Sequence, residues 1–188
     1  EKQAAKNGRR EEYTDYGTNP CSEIILRNKQ FCNLTEVVVR PDDTMESLRT
    51  KVEAATILGT FQATLTNFRY LTSKWKHNTQ EESLLGVSLT GIMDNVDMIN
   101  GKIDLEYLKN LSVSINKVWA KKLGIPQSAA ITCVKPSGTV SQLVNSASGI
   151  HTRHSPYYLR TIRADKKDPL ARLMVDAGVY YEDDVTKP

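Results

Sequence analysis

Residues 34–68 read LTEVVVRPDDTMESLRTKVEAATILGTFQATLTNF, and the change of rhythm inside this stretch decides the fold class. The Val-rich opening carries a short strand over 34–39. Arg40-Pro41-Asp42-Asp43 breaks the pattern. Apolar side chains then return at three- and four-residue steps: Met45, Leu48, Val52, Ala55, Leu58, Phe61, Leu65 and Phe68. The spacing predicts one long amphipathic helix over 44–68, opened by Asp43 as N-cap with Glu46 three residues on in a capping box.

The same alternation continues on both sides. Residues 21–26 read as a strand, set off from 34–39 by a polar turn around Arg27 to Gln30. LLGVSLTGIMD (84–94) reads as a buried strand followed by a loop. A second helix is expected from Asp104 to Leu123, its apolar side formed by Leu105, Leu108, Leu111, Ile115, Val118 and Trp119, and its end by Gly124 and Pro126. AAITCVK (129–135) reads as a short strand, and PSGTVSQLV as a turn leading into a helix. YYLRTIR (157–163) alternates as a strand, and Asp168, Pro169 and Gly178 bracket a third helix. Strands alternating with long helices give an α/β class with parallel pairing.

The chain has 188 residues, 25 Lys and Arg against 22 Asp and Glu, and a formal net charge of +3. That size suits a real hydrophobic core, and so mild and dispersed a charge argues against a nucleic-acid partner. No stretch approaches the ~20 apolar residues of a membrane helix. The opening EKQAAKNGRREEY lacks the apolar core of a signal peptide. Three cysteines without metal-type spacing are expected to be reduced thiols in a cytoplasmic protein, with no metal site. Residues 1–17 form a polar N-terminal segment and 18–188 the folded part. The start at Glu1 and the closing VYYEDDVTKP suggest part of a longer polypeptide.

TNPCSEIILRNKQFCNL (18–34) holds two of the three cysteines. Pro20 favours an extended Asn19, and residues two apart in an extended chain point the same way. Asn19, Cys21 and Glu23 would then share a face, bringing an amide, an oxidisable sulfur and an acid–base carboxylate to one small ligand. A buried cysteine is often simply a small hydrophobe, and both readings of Cys21 stay open on the residues alone. KPSGTVSQ sets a glycine and small hydroxyls between strand and helix; it is either an ordinary capped turn or an anion cradle, and it lacks the Walker spacing. HTRHSPYYLRTIR interleaves basic and aromatic residues. That allows single-stranded nucleic acid, but the alternation is better read as a strand with a solvated side.

NPCSEI followed by FCNLTEV closely resembles the active-site segment of ribonucleotide reductases, most of all the adenosylcobalamin-dependent (class II) enzymes and their monomeric ribonucleoside-triphosphate reductases. The resemblance runs on through LLGVSLTGIMD, KPSGTVSQLV and ASGIHTRHSPYYLRTIR, covering most of residues 18–178. It implies the second half of a ten-stranded α/β barrel, with the radical cysteine on an inner finger loop. By position it makes Cys21 the thiyl radical that removes the ribose 3′ hydrogen and Glu23 the base at the 3′ hydroxyl. Asn19 would hold the ribose hydroxyls. Cys32 would be one of two cysteines oxidised to a disulfide, its partner lying in a first half-barrel that this chain lacks, with Cys133 read as core.

The resemblance also implies substrate phosphates on Ser137, Gly138, Thr139, Val140 and Ser141, adenosylcobalamin as a cofactor whose contacts are not assignable here, and thioredoxin or a similar dithiol as reductant. Three alternatives remain at this stage. One is a phosphate- or nucleotide-binding module without redox chemistry. Another is a thiol–disulfide protein pairing Cys21 with Cys32. The third is a metal-radical (class I) diphosphate reductase.

Overall fold

The computed structural model describes residues 15–186; most of the expected polar segment 1–17 lies outside them. Internal contacts divide the chain into two compact units, one ending at Arg153 and one beginning at His154.

The first unit is α/β. A small antiparallel hairpin pairs β1 (Tyr16–Thr18) with β2 (Ile25–Arg27). β3 (Asn33–Val38) then pairs in parallel with β4 (Leu85–Thr90), in a register running from Asn33↔Leu85 to Val38↔Thr90. A parallel pair needs a long crossover, and here α1 (Met45–Gln62) and α2 (Ser73–Glu82) supply it. After β4 come a 3-10 turn (Ile92–Asp94), the one-turn α3 (Val96–Ile99), and α4 (Leu105–Leu123).

The chain then returns to the open side of β4. Val87 N–H donates to Ile131 O (2.8 Å) and Cys133 N–H to Val87 O (3.0 Å), around a parallel bridge Val87↔Thr132. The strand expected over 129–135 therefore shrinks to a bridge. The described strands do not close a barrel. No described helix is long and apolar enough to cross a membrane.

Strand periodicity separates two faces. Val37, Leu85 and Val87 point toward the helices and join Leu48, Val52, Ala55 and Leu108 in the core. Each fully buried Leu there contributes about 1.5–3 kcal/mol. Asn116 on α4 pins this packing: its amide donates to Thr60 Oγ1 (3.1 Å) and Ser128 Oγ (3.0 Å), and its Oδ1 accepts from Ser128 N–H (3.0 Å).

Three expectations are corrected. The first helix is capped by Thr44, not Asp43: Thr44 and Ser47 exchange side-chain-to-backbone hydrogen bonds (3.3 and 2.9 Å). Asp43 is instead buried against Lys51 (2.5 Å). That helix ends at Gln62 rather than 68, where Thr64 Oγ1 turns back to Phe61 O (2.7 Å) and the Thr- and Asn-rich run competes with helical bonding. Residues 157–163 form no strand. Tyr157, Leu159 and Ile162 are exposed, and no described strand lies alongside them.

In the second unit α6 (Pro169–Asp176) forms as expected, with Asp168 Oδ1 accepting from Leu170 N–H (2.8 Å) and Gly178 at φ +84°. The helix before it in sequence, α5 (Thr139–Leu143), lies in the first unit and matches the expected turn-to-helix after PSG.

Candidate active site

The segment 19–24 is a tight loop between β1 and β2, not the extended face expected for Asn19, Cys21 and Glu23. Ser22 N–H donates to Asn19 O (2.9 Å), which places Pro20 at the second position of a turn, where its fixed φ fits. Ser22 takes a left-handed backbone (φ +61°). Asn19 closes the loop at both ends: its N–H donates to Ile24 O (3.2 Å) and its Oδ1 accepts from Ile24 N–H (3.1 Å). Cys21 stands exposed at the tip.

Glu23 turns inward. Its side chain is fully buried and its Oε1 accepts from Lys135 Nζ at 3.3 Å, while Oε2 is buried without a hydrogen-bond partner. Burial pushes its pKa up, but its own backbone N–H, the Asn19 side chain and Lys135 outweigh that and hold it below the usual carboxylate value. Asn19 and Glu23 thus meet through the turn rather than through alternation.

The loop rests on the sheet face opposite the helices, and Gly86 makes the contact possible. A Cβ there would stand 3.0 Å from Ile24 Cδ1, 3.1 Å from Cys133 Sγ and 2.4 Å from Leu34 Cδ2. Glu23 lies close enough to both remaining thiols for its charge to act on them. Cys32 is pushed up by burial and then by Glu23; Cys133 is pushed up to about 12, again by burial first and Glu23 next. Cys32 also lines an open cleft with Phe31, Phe68, Tyr70 and Leu71.

All three cysteines are free thiols. Cys32 precedes the Asn33↔Leu85 pair, whereas Cys133 follows the Val87↔Thr132 bridge. That offset is roughly 13 Å along the strands, too far for the ~7 Å Cα limit of a disulfide.

Of the five residues expected to bind phosphate, Ser137 and Ser141 are buried and engaged with each other: Ser137 Oγ accepts from Ser141 N–H (3.1 Å), and Ser141 Oγ donates to Gly138 O (2.8 Å). Gly138, Thr139 and Val140 are exposed at the start of α5, where helix amides lack intrahelical partners. The turn is braced from behind. Ser148 Oγ donates to Ser137 O, Gly149 N–H to Thr90 Oγ1 (2.8 Å), and Thr90 Oγ1 to Ala147 O (3.1 Å). Ala147 N–H donates to Asp94 Oδ2 (2.7 Å), and Arg153 clamps both Asp94 oxygens at 2.8 and 3.0 Å.

Sequence reading missed Lys135, Thr90, Asp94 and Arg153. Only Lys135, directly before PSGTVS, carried a local signal. His151 and His154 are exposed, and the described residues contain no cluster of three or more His, Cys, Asp or Glu fit to hold a metal.

A parallel α/β sheet bearing a thiol-tipped loop beside a buried carboxylate is the class of site found here. In fold it is similar to a crystal structure of a B-12 dependent (class II) ribonucleotide reductase, with a TM-score of 0.59 and 26% identity over 77% of this chain and 23% of that one. In sequence it is 29% identical over 197 residues to the adenosylcobalamin-dependent ribonucleoside-triphosphate reductase of Lactobacillus acidophilus, covering 90% of this chain and 26% of that protein. It is 28% identical over 172 residues to the enzyme of the same name from Euglena gracilis (88% and 23%). No family model matches. The resemblance read from NPCSEI and FCNLTEV therefore extends over about nine tenths of the chain, which spans about a quarter of the length of the curated relatives it matches.

Proposed function

We propose that this chain is the catalytic stretch of an adenosylcobalamin-dependent reductase that converts ribonucleotides, as triphosphates, to deoxyribonucleotides for DNA synthesis. It would form the second half of a ten-stranded α/β barrel, with residues 19–24 as the finger loop. What supports this reading is the Glu23–Lys135 contact, which ties the loop that carries Cys21 to the segment leading into the 137–141 turn, in a chain similar to these reductases along most of its length.

In this reading Cys21, as a thiyl radical, takes the 3′ hydrogen of the ribose, becoming a thiol, and returns that hydrogen at the end of the cycle to become the thiyl radical again. Glu23, ionised and with one oxygen unpaired, accepts the 3′ hydroxyl proton, while the 2′ hydroxyl takes a proton from a thiol of the reducing pair and leaves as water. Asn19 holds the ribose hydroxyls through its side-chain amide. Cys32, partly buried, supplies one of the two thiols oxidised to a disulfide. Its partner comes from polypeptide outside this chain, since Cys133 is out of register with it. The exposed amides of Gly138, Thr139 and Val140 take the phosphates, with Ser137 and Ser141 shaping the turn.

Adenosylcobalamin, when bound, supplies the radical that Cys21 carries. The exposed tip of the loop fits a thiol reached by a cofactor from outside this chain. A thioredoxin-type dithiol would return the disulfide to thiols. A cytoplasmic setting suits free cysteines. The chain alone, lacking the first half-barrel, would be inactive.

The test is nucleotide reduction by the complete protein carrying Cys21→Ser. Loss of all deoxynucleotide formation, with nucleotide binding retained, is expected; retained turnover would overturn the proposal. Phosphate binding without any deoxynucleotide from the unaltered complete protein would favour the non-redox module instead.

A further inference from the structure

We infer that Lys135 is a positioning residue for Glu23, its ammonium orienting that buried carboxylate from the segment that leads into the 137–141 turn. This rests on the reading of Glu23 as the proton acceptor, although the geometry stands apart from it.

A carboxylate with no solvent exposure is costly unless a charge or donors compensate. Lys135 Nζ lies 3.3 Å from Oε1 and retains 26% exposure, so the pair is half wet rather than sealed. The groups near Glu23 are few. Asn19 faces it from its own loop, Lys135 from the 131–135 segment, Cys133 from the same segment, and Cys32 from the approach to β3. Glu36, on β3, acts on Cys133 and has its own Oε1 buried without a partner. Glu23's own backbone N–H and the Asn19 side chain also favour the charged carboxylate, but two thiols and a neighbouring acid do not, and among these groups the ammonium is the one that carries a positive charge.

Oε2 stays free of protein donors, which leaves an acceptor for a hydroxyl while Oε1 is anchored. The anchor itself is fixed in place. Gly149 packs so closely on Lys135 O that an added Cβ would stand 3.1 Å from it. Lys135 also lies two residues before Ser137, so the carboxylate is held from the same segment that leads into the 137–141 turn.

The test is ¹³C carboxyl titration of Glu23 in the 188-residue chain, with Glu23→Gln assigning the signal. In Lys135→Met the midpoint is expected to move to higher pH, and in Lys135→Arg to return toward its original position. An unmoved midpoint in folded Lys135→Met would overturn the proposal. If that variant fails to fold, the unaltered chain decides: the ¹⁵Nζ signal of Lys135 should report the Glu23 midpoint, and a flat response refutes the pairing.

In the complete protein, Lys135→Met should move the acid limb of the kcat–pH profile to higher pH. At a fixed pH on that limb, kcat should fall about tenfold for every pH unit the limb moves. Lys135→Arg should restore the limb. If the unaltered protein reduces no nucleotide, the functional reading fails while the titration still decides the role of Lys135.

Discussion

Gly91→Ala should strike the fold where the site is braced. Gly91 follows β4 directly, at φ +79°, and a Cβ there would stand 2.6 Å from Val39 O. That oxygen is backbone, locked because Val39 N–H already donates to Thr90 O at 2.8 Å, so it cannot swing aside as a side chain would. Holding a left-handed backbone costs Ala about 1–2 kcal/mol. Crowding a packed backbone costs about 1–3 kcal/mol more, and the stiffer unfolded chain returns roughly 0.4–1 kcal/mol. The net is a loss of about 3 kcal/mol.

With a urea slope of about 2 kcal/mol/M, the unfolding midpoint should fall by about 1.5 M. Trp119 on α4, ring-packed on Phe61 of α1 at 5.3 Å, provides a fluorescence signal from the helix pair of the first unit. Gly17→Ala is the control: its added Cβ would meet nothing within 4 Å and it lies in the extended β1, so its midpoint should hold within about 0.3 M. A Gly91→Ala midpoint equally close to that of the unaltered chain would refute the reasoning.

Two further outcomes follow from the charges. Glu23→Gln should lower the pH at which Cys32 and Cys133 are half-alkylated by iodoacetamide, because it removes the negative charge that raises both thiols and leaves Lys135 to favour thiolate; a midpoint that stays or rises counts against the placement of Glu23. The Arg153 guanidinium, joined by the Ala147 N–H, outweighs burial and holds Asp94 below the usual carboxylate value. Its stabilisation is therefore complete above the unfolded pKa of about 3.9 and is lost as pH falls through the lower folded value. Asp94→Asn should cost about 1–2 kcal/mol at pH 7 and flatten the loss of stability below about pH 4 in urea unfolding, and an unchanged acid slope there would contradict this.

Legibility in the sequence varied with how local each cause was. α4 was legible at both ends, because Asp104 caps it, apolar side chains recur along it and Gly124 ends it at φ +68°. α2 was not, because what it buries is polar. Asn78, Thr79 and Glu82 are satisfied from a distant segment: Gln30 Nε2 donates to Glu82 (2.6 Å) and Asn78 O (3.0 Å), and Arg27 pairs with Glu82 (3.1 Å). The capping box slipped by one residue because Asp43 found Lys51.

At the candidate site the residue types were readable but their geometry was not. Pro20 suits both an extended chain and the second position of a turn, and only the β1–β2 pairing decides between them. The Lys135–Glu23 contact spans 112 positions, beyond the reach of any local pattern.

The parallel pairing of β3 with β4 also governs how this chain acquires its shape. Leu34 pairs with Gly86 across a crossover that holds two helices, so no strand of this sheet can zip from a neighbouring turn. Such non-local contacts form late and slowly, while α1, capped by its own Thr44 and Ser47, can form early. During that interval LTEVVV and LLGVSLT are bare β-prone segments, open to pairing with other copies. The yield of folded chain should therefore depend on how dilute it is during refolding, well before any question of chemistry arises.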